Sequence, residues 1–478
     1  MDTSLATRLA ARDLAVIWHP CTQMHDHETL PMLPIASAEG VWLTGHDGKR
    51  YLDAVSSWWT CLLGHRHPRI VAALKDQLDK LDHVMLAGFT HEPAIELAEE
   101  LVRIAPKPMS PPPLAGKGEG GGTATNHRSQ TDDHVLRRVF YADNGSSAVE
   151  VALKLSFHYW KNVGRAERTR FIALTGSYHG ETLGALSVTD VALYRNTYAP
   201  LLLDPIFAPS PDAYASEPGE SAADCARRRL GELRAILARH AHETCAIIVE
   251  PLVQCAGGMR MYDAGYLTGL RALCDEFDVH LIADEIAVGF GRTGTLFACE
   301  QGRIAPDFLC LSKGLTGGTL PLSAVLTTQE VYAAFYAEYA AGKAFLHSHS
   351  YTGNPIACRA ALATLSVLRE EPVLERNRML AVHLAAKLAP LADHPHVADV
   401  RQTGLIAAVE LVRDKATRDP FPAAERRGLR VYQHGLERGV VLRPLGNVVY
   451  FMPPFCITPD EIDFMVEVAI EGIDRAVG

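Results

Sequence analysis

Two residues end apolar runs of strand length and carry groups from which chemistry is made. Asp284 follows VHLIA, so its carboxylate stands at the mouth of a buried strand, where a charge without a partner is costly. Lys313 follows DFLCLS and leads into the glycine-rich LTGG. An amine and a carboxylate at neighbouring strand mouths either share a ligand or pair with each other. A third element favours the ligand: YADNGSSAVEVALK joins a strand to a helix through Asn144, Gly145, Ser146 and Ser147. The free N–H groups of such a helix start suit an anion, although N-capping alone would also explain these residues. A lysine able to form an imine, a carboxylate to keep a pyridine nitrogen protonated and a phosphate cradle are the parts that pyridoxal phosphate requires. Tyr178, in SYHG after FIALT, adds a ring that could stack on the cofactor. Alone it would be a packing residue.

The elements around these residues alternate. RRVFYAD precedes the helical SAVEVALKLSFHYW; RFIALTG follows; CAIIVEP precedes YLTGLRALCDEF; then come VHLIADE, DFLCLSK and SAVLTT. Strands alternating with helices predict an α/β fold with a mainly parallel sheet. Ligands in such sheets bind beyond the carboxyl ends of the strands, which singles out Asp143, Glu250, Asp284 and Lys313. From about Glu370 the pattern changes to a helix, several short strands and a last helix, as in a smaller α+β domain. The expected division is an N-terminal segment (1–57) joining the small domain, a large domain (58–368) and a C-terminal small domain (369–478). Residues 107–134, rich in proline, glycine and small polar residues, read as an inserted surface loop.

The chain has 478 residues, 48% hydrophobic and 21% charged, enough for a large core and too much for a lone binding module. Lys and Arg number 46 against 56 Asp and Glu, which leaves no cationic field for nucleic acid. No apolar run reaches the roughly 18 residues of a membrane span. The opening MDTSLATRLAARDLAVIWHP has arginines where a signal peptide is apolar, and Leu5, Leu9 and Val16 are spaced as in an amphipathic surface helix. Ten cysteines without a C-x-x-C pair suit a reduced, cytoplasmic compartment.

Ordered segments along almost the whole chain carry a family resemblance: WHPCTQM, DAVSSWWTCLLGHRHP, YADNGSSAVEVALK, GSYHGETLGALSV, EPLVQCAGGMRMY, LIADEIAVGFGRTG, LCLSKGLTGG, HSYTGNPIAC and LRPLGNVVYFMPP. The chain resembles the class III, fold-type I aminotransferases, and within them the branch that transaminates 8-amino-7-oxononanoate in biotin biosynthesis. The resemblance implies pyridoxal 5'-phosphate bonded to Lys313, which also serves as the proton-transfer base, with Asp284 on the pyridine nitrogen and Tyr178 on the ring. It implies Gly145 and Ser146 at the phosphate, with Ser350 reaching across from the other subunit of a homodimer and His349 beside it. Substrate contacts would come from Cys21, Trp58, Tyr178, Lys313, Ser348, Arg443 and Tyr450, with Arg443 suited to a carboxylate.

Two departures bear on the amino donor. Cys21 stands where the family's HPYT segment has a tyrosine, and a thiol supplies neither phenol hydroxyl nor stacking face. HSHSYTG replaces the form HGPTFMG, so Ser348 and His349 stand for a glycine and a proline. S-adenosylmethionine is the favoured donor. Lysine is the alternative donor, since a lysine-using branch has similar TQM and HSYTGN segments, and the alternative function is that of another class III ω-amino-acid aminotransferase.

Rival motifs lack their contexts. GFGRTG fits G-x-G-x-x-G, but Asp284 and Glu285 precede it and the next strand ends in Lys313, unlike a dinucleotide fold. Gly116-Lys117 is followed by Gly118 where a P-loop needs Ser or Thr. His25, His27, His65 and His67 lack the H-E-x-x-H of a metal hydrolase, and no metal is expected. A catalytically dead scaffold would have no reason to keep the lysine, aspartate and phosphate turn together.

Overall fold

The computed structural model describes residues 4–30, 32–107 and 134–478. Residues 108–133 of the expected loop, with its Gly116-Lys117 pair, lie outside the described residues. Two units divide the chain. The larger comprises Arg69–Ala381 and Arg401–Ala407; the smaller comprises Met1–Pro68, Val382–Val400 and Ala408–Gly478. The expected boundaries were 57/58 and 368/369; the compact units change over at Pro68 and Val382, the latter within the helix Val373–Leu388. A continuous helix offers no break in composition to read.

In the smaller unit, α1 (Leu5–Val16) starts where the Thr7 N–H donates to Ser4 Oγ, and none of its residues is buried. Strands β1 (Ile35–Glu39), β2 (Trp42–Gly45) and β3 (Arg50–Asp53) form an antiparallel meander. These three were not read from the sequence, because they are short and β1 is mostly exposed.

The larger unit holds a seven-stranded sheet. Its strands are β4 (Leu136–Ala142), β5 (Arg170–Leu174), β6 (Ile206–Ala208), β7 (Thr244–Val249), β8 (His280–Asp284), β9 (Phe308–Leu311) and β10 (Ser323–Thr328). The order across it is β4, β10, β9, β8, β7, β5, β6. The pairs β6/β5, β5/β7, β7/β8 and β8/β9 are parallel, and only β10 runs against its neighbours. Fully apolar runs suit strands covered on both faces, and β7, β8 and β9 are buried along their whole length. Helix α2 (Gly145–Asn162) buries Ala148, Val149, Ala152, Leu153 and Leu155 in the same core as Ile248, Ile282 and Cys310. The topology therefore brings the carboxyl ends of β4, β5, β7, β8 and β9 to one edge.

Next along the chain comes α3 (Val373–Leu388), and the strands after it fall in the smaller unit apart from Arg401–Ala407. Strands β11 (Val397–Thr403) and β12 (Ile406–Asp414) adjoin, β13 (Val440–Val441) runs parallel to β3, and β14 (Val448–Phe451) pairs with β12. The last helix, α4 (Pro459–Val477), opens on a capping box in which Thr458 and Glu461 each accept the other's N–H. It buries Ile462, Met465, Val466, Ala469 and Ile473, a stripe at helical spacing. Among the described residues no helix is long and apolar enough to cross a membrane, and no group of three or more His, Cys, Asp or Glu gathers as a metal site. None of the ten cysteines is joined in a disulfide.

Candidate active site

Because β7, β8 and β9 are adjacent and parallel, they deliver Glu250, Asp284 and Lys313 to neighbouring points on one edge. The chain turns sharply after β9: Ser312 is extended at φ −165°, and Lys313 enters the left-handed region at φ 44°. Such strain in a non-glycine residue persists only where the surroundings enforce it. Lys313 is half-buried, and desolvation pushes its amine below the usual lysine value against the opposing fields of Cys255, Asp284 and Glu250. A depressed amine has a larger neutral fraction, which is the form that acts as nucleophile and base.

Asp284 is 5% exposed. His179 Nδ1 donates to its Oδ2 at 2.8 Å, and the Ile286 N–H donates to its Oδ1 at 3.1 Å. The carboxylate is thus fixed in orientation and keeps acceptor capacity for a further donor, such as a protonated ring nitrogen. The sequence left open a shared ligand or a direct Asp284–Lys313 pair; the hydrogen-bonded protein partner of Asp284 is His179, and Asp284 reaches Lys313 through its electrostatic field. Sequence reasoning missed His179, although it adjoins Tyr178 in SYHG.

At the end of β4, Asn144 caps α2: its Oδ1 accepts the Ser147 N–H at 3.1 Å and its carbonyl accepts the Ala148 N–H at 3.0 Å. The amides of Gly145 and Ser146 precede these and have no helical turn behind them to bond, so the helix start presents them to an anion. Space is tight here. A Cβ at Gly145 would come within 3.0 Å of Ile286 Cγ2, and one at Gly180 within 2.2 Å of Ser146 Oγ. Gly180 also has φ 126°, where an L side chain is strained.

Tyr178, half-buried on the loop after β5, donates its N–H to Glu250 Oε2 and its hydroxyl to Glu181 Oε1, both at 2.9 Å. His349 Nδ1 lies 3.0 Å from Asp143 Oδ2, while Ser348 and Ser350 are exposed. A depressed amine, a buried carboxylate with acceptor capacity to spare, an aromatic ring and a helix start offering amides are what pyridoxal phosphate needs, so these residues fit it.

The smaller unit gathers the other expected contacts. Ser56, Ser57, Trp58 and Trp59 have φ of 50°, 46°, 71° and 72°, a left-handed turn without glycine. Each such residue costs about 1–2 kcal/mol. Asp53, also missed in the sequence, holds the turn: its Oδ1 accepts the Ser57 N–H at 2.9 Å, and its Oδ2 accepts Ser57 Oγ at 2.7 Å and His65 Nε2 at 2.9 Å. Ser56 Oγ donates to the Met452 carbonyl at 2.6 Å, and Trp59 Nε1 donates to the Tyr450 hydroxyl at 3.0 Å. His65 is therefore a structural residue here. Trp58 stays 37% exposed, with the Arg443 guanidinium 4.6 Å from its ring centroid. Arg443 Nη2 donates to the Cys21 carbonyl at 3.3 Å, so at position 21 the main chain makes this contact. Tyr450 is buried in the core of this unit.

Comparison with known proteins shows the family of the chain. Residues 23–473 match the family described as aminotransferase class-III. The chain is 46% identical to an adenosylmethionine-8-amino-7-oxononanoate aminotransferase of Nitratidesulfovibrio vulgaris, over 97% of this chain and 81% of that one. It is similar to the crystal structure of the Methanocaldococcus jannaschii protein of the same name, at 38% identity and TM-score 0.88, covering 98% and 99% of the two chains. An ω-transaminase from Pseudomonas jessenii, solved in complex with PMP, is 30% identical with TM-score 0.88 and 98% coverage of both chains. From the match over nearly its whole length, the chain belongs to the class III aminotransferase family.

Proposed function

We propose that this chain transfers an amino group to the ketone of 8-amino-7-oxononanoate, giving 7,8-diaminononanoate for biotin biosynthesis, with S-adenosylmethionine as donor. The names of its relatives support acceptor and donor. The observation that carries the reading is the convergence of Lys313, Asp284, Tyr178 and the α2 start on one sheet edge. Class III aminotransferases use pyridoxal 5'-phosphate, which when bound supplies an electron sink for the pair left on carbon as a proton departs.

This chain's residues supply the rest. Lys313 is the residue that would hold the cofactor's aldehyde, and its Nζ would carry the migrating proton from the donor carbon to the cofactor carbon across the nitrogen between them. Asp284 keeps the proton on the ring nitrogen, because a fixed negative charge favours the cationic form. Gly145 and Ser146 take the phosphate beside His349, with Ser350 contributed by the second copy in a homodimer. Tyr178 lies against the ring. Arg443, over Trp58, is the group for the acceptor's carboxylate, with Cys21 beside it, and Ser348 is a further expected substrate contact. Tyr450, buried with its hydroxyl accepting from Trp59, positions that indole instead of touching substrate. Ten cysteines outside any disulfide suit a cytoplasmic setting.

Lysine as donor is the second reading, favoured by Cys21 in place of a phenol and by Ser348 and His349. Single-turnover mixing of the holoenzyme with each donor, followed by the cofactor's absorbance, decides between them. Loss of the band with S-adenosylmethionine is expected; a response to lysine alone reverses the donor. If neither donor leads to aminated 8-amino-7-oxononanoate, the acceptor is wrong. Dilution to monomers is expected to abolish turnover, and a fully active monomer would exclude shared sites.

A further inference from the structure

Glu250 ends β7 beside Asp284, is 5% exposed, and has no part in the chemistry above. Its two oxygens do separate jobs. Oε2 accepts the Tyr178 N–H and Oε1 accepts the Cys255 N–H, each at 2.9 Å, and its carbonyl accepts the Tyr262 hydroxyl at 2.6 Å. One side chain therefore ties the loop after β5 to the turn after β7.

The loop it holds is short and carries two groups of the site. The Tyr178 amide goes to Glu250, the His179 N–H donates to Thr189 Oγ1 at 2.9 Å, and His179 Nδ1 reaches Asp284. Gly180 then backs onto Ser146. Moving the Tyr178 main chain thus moves the ring expected on the cofactor, the histidine that orients Asp284, and the wall behind the phosphate turn. We propose that Glu250 is a positioning residue for the cofactor, bracing the main chain of Tyr178 against that of Cys255 so that the ring and the His179–Asp284 pair keep their places.

The electrostatics agree with this placement. Burial raises the Glu250 carboxyl, and with His179 lowering and Asp284 raising it in turn, it stands at about 7. The groups facing it are His179, Asp284, Lys313, Cys255 and Tyr262. Its charge is therefore felt at both ends of the cofactor cluster. Glutamine has the same shape but one acceptor oxygen and no charge, so it can keep only one of the two amides. Aspartate keeps the charge and is too short to reach both.

The inference rests on pyridoxal phosphate binding at this edge, and the test separates the two. Apoprotein of wild type, Glu250→Gln and Glu250→Asp is titrated with pyridoxal phosphate by fluorescence. The pH midpoint of each holoenzyme's cofactor absorbance is then measured, with apoprotein melting as control. Both variants are expected to bind about tenfold more weakly, the loss of one hydrogen bond to a charged group. Glu250→Gln should also lower the spectral midpoint, since removing a negative charge disfavours a protonated nitrogen nearby, while Glu250→Asp should leave it near wild type. Unchanged affinity and midpoint in a folded variant overturn the proposal, as does a lowered apoprotein melting temperature with affinity intact. Should Glu250→Gln not fold, the affinity of Glu250→Asp decides alone. Wild-type protein that takes up no pyridoxal phosphate would defeat the cofactor reading instead.

Discussion

At the sheet edge Asp284 is 5% exposed and bonded on both oxygens, whereas in the smaller unit Arg443 is half-buried and lies over a Trp58 that is 37% exposed. The first cluster sits on the ends of buried strands, held by the sheet's own register. The second sits on a left-handed turn that Asp53 must hold in place. In a dry setting burial itself disfavours charge, as the depressed Lys313 amine and the raised Glu250 carboxyl record. Charges near water act weakly on pKa but can still sort ligands by shape and hydrogen bonding. On the proposed reading, the difference amounts to a division of labour: proton chemistry in the dry cluster, recognition in the wetter one.

The strongest way to break that division is Lys313→Ala, expected to lower turnover by about 10⁴-fold and to remove the cofactor's bonded absorbance. An active variant that keeps the band would end the assignment. Next comes Asp284→Asn, for which we expect a fall in kcat of about 10²–10³-fold with little change in substrate KM. A change confined to KM would put Asp284 with the recognition residues.

Arg443→Ala tests the other side. The KM for the keto acid should rise about ten- to a hundredfold, while the donor half-reaction stays as in wild type. Equal damage to both half-reactions would blur the two regions into one. Asp53→Ala should cost about 2 kcal/mol of stability by denaturant titration, through the lost bonds to Ser57 and His65, and should raise the KM for the keto acid. A stable variant with unaltered kinetics would mean that the left-handed turn holds itself.

The smallest effect lies outside both clusters. His134 sits between Asp275 and Asp307. Burial works against its charge, but those two carboxylates prevail and raise it to about 9. Its stabilising contribution is therefore complete below the ordinary histidine value of 6.5, and is lost as pH rises toward about 9. His134→Gln should flatten the fall in melting temperature across that window and leave activity alone; an unchanged slope would show that other groups set it.

Much of the dry cluster was legible in the sequence because its strands are buried on both faces and read as unbroken apolar runs that Asp284 and Lys313 terminate. The α2 start was legible through Asn144 and the small residues after it. His179 was not, since nothing in a string distinguishes one of 21 histidines until folding brings it to Asp284. The smaller unit was harder to read. Its first strands are short, and Ser56, Ser57, Trp58 and Trp59 give no local sign of positive φ, because that geometry comes from contacts with Asp53, Met452 and Tyr450. Trp58, Arg443 and Tyr450 were expected only through the family resemblance.

The wrong-handed stretch at Ser56–Trp59 has an evolutionary corollary. At 58, where φ is 71°, an unbranched L residue meets a backbone penalty similar to the indole's, asparagine or aspartate a smaller one and a β-branched residue a larger one. Glycine at 57 would relieve the torsional load yet surrender the hydroxyl that Asp53 grips. If Trp58 faces substrate as proposed, new preferences would therefore arise more readily by exchanging it for an unbranched residue than by loosening its neighbours.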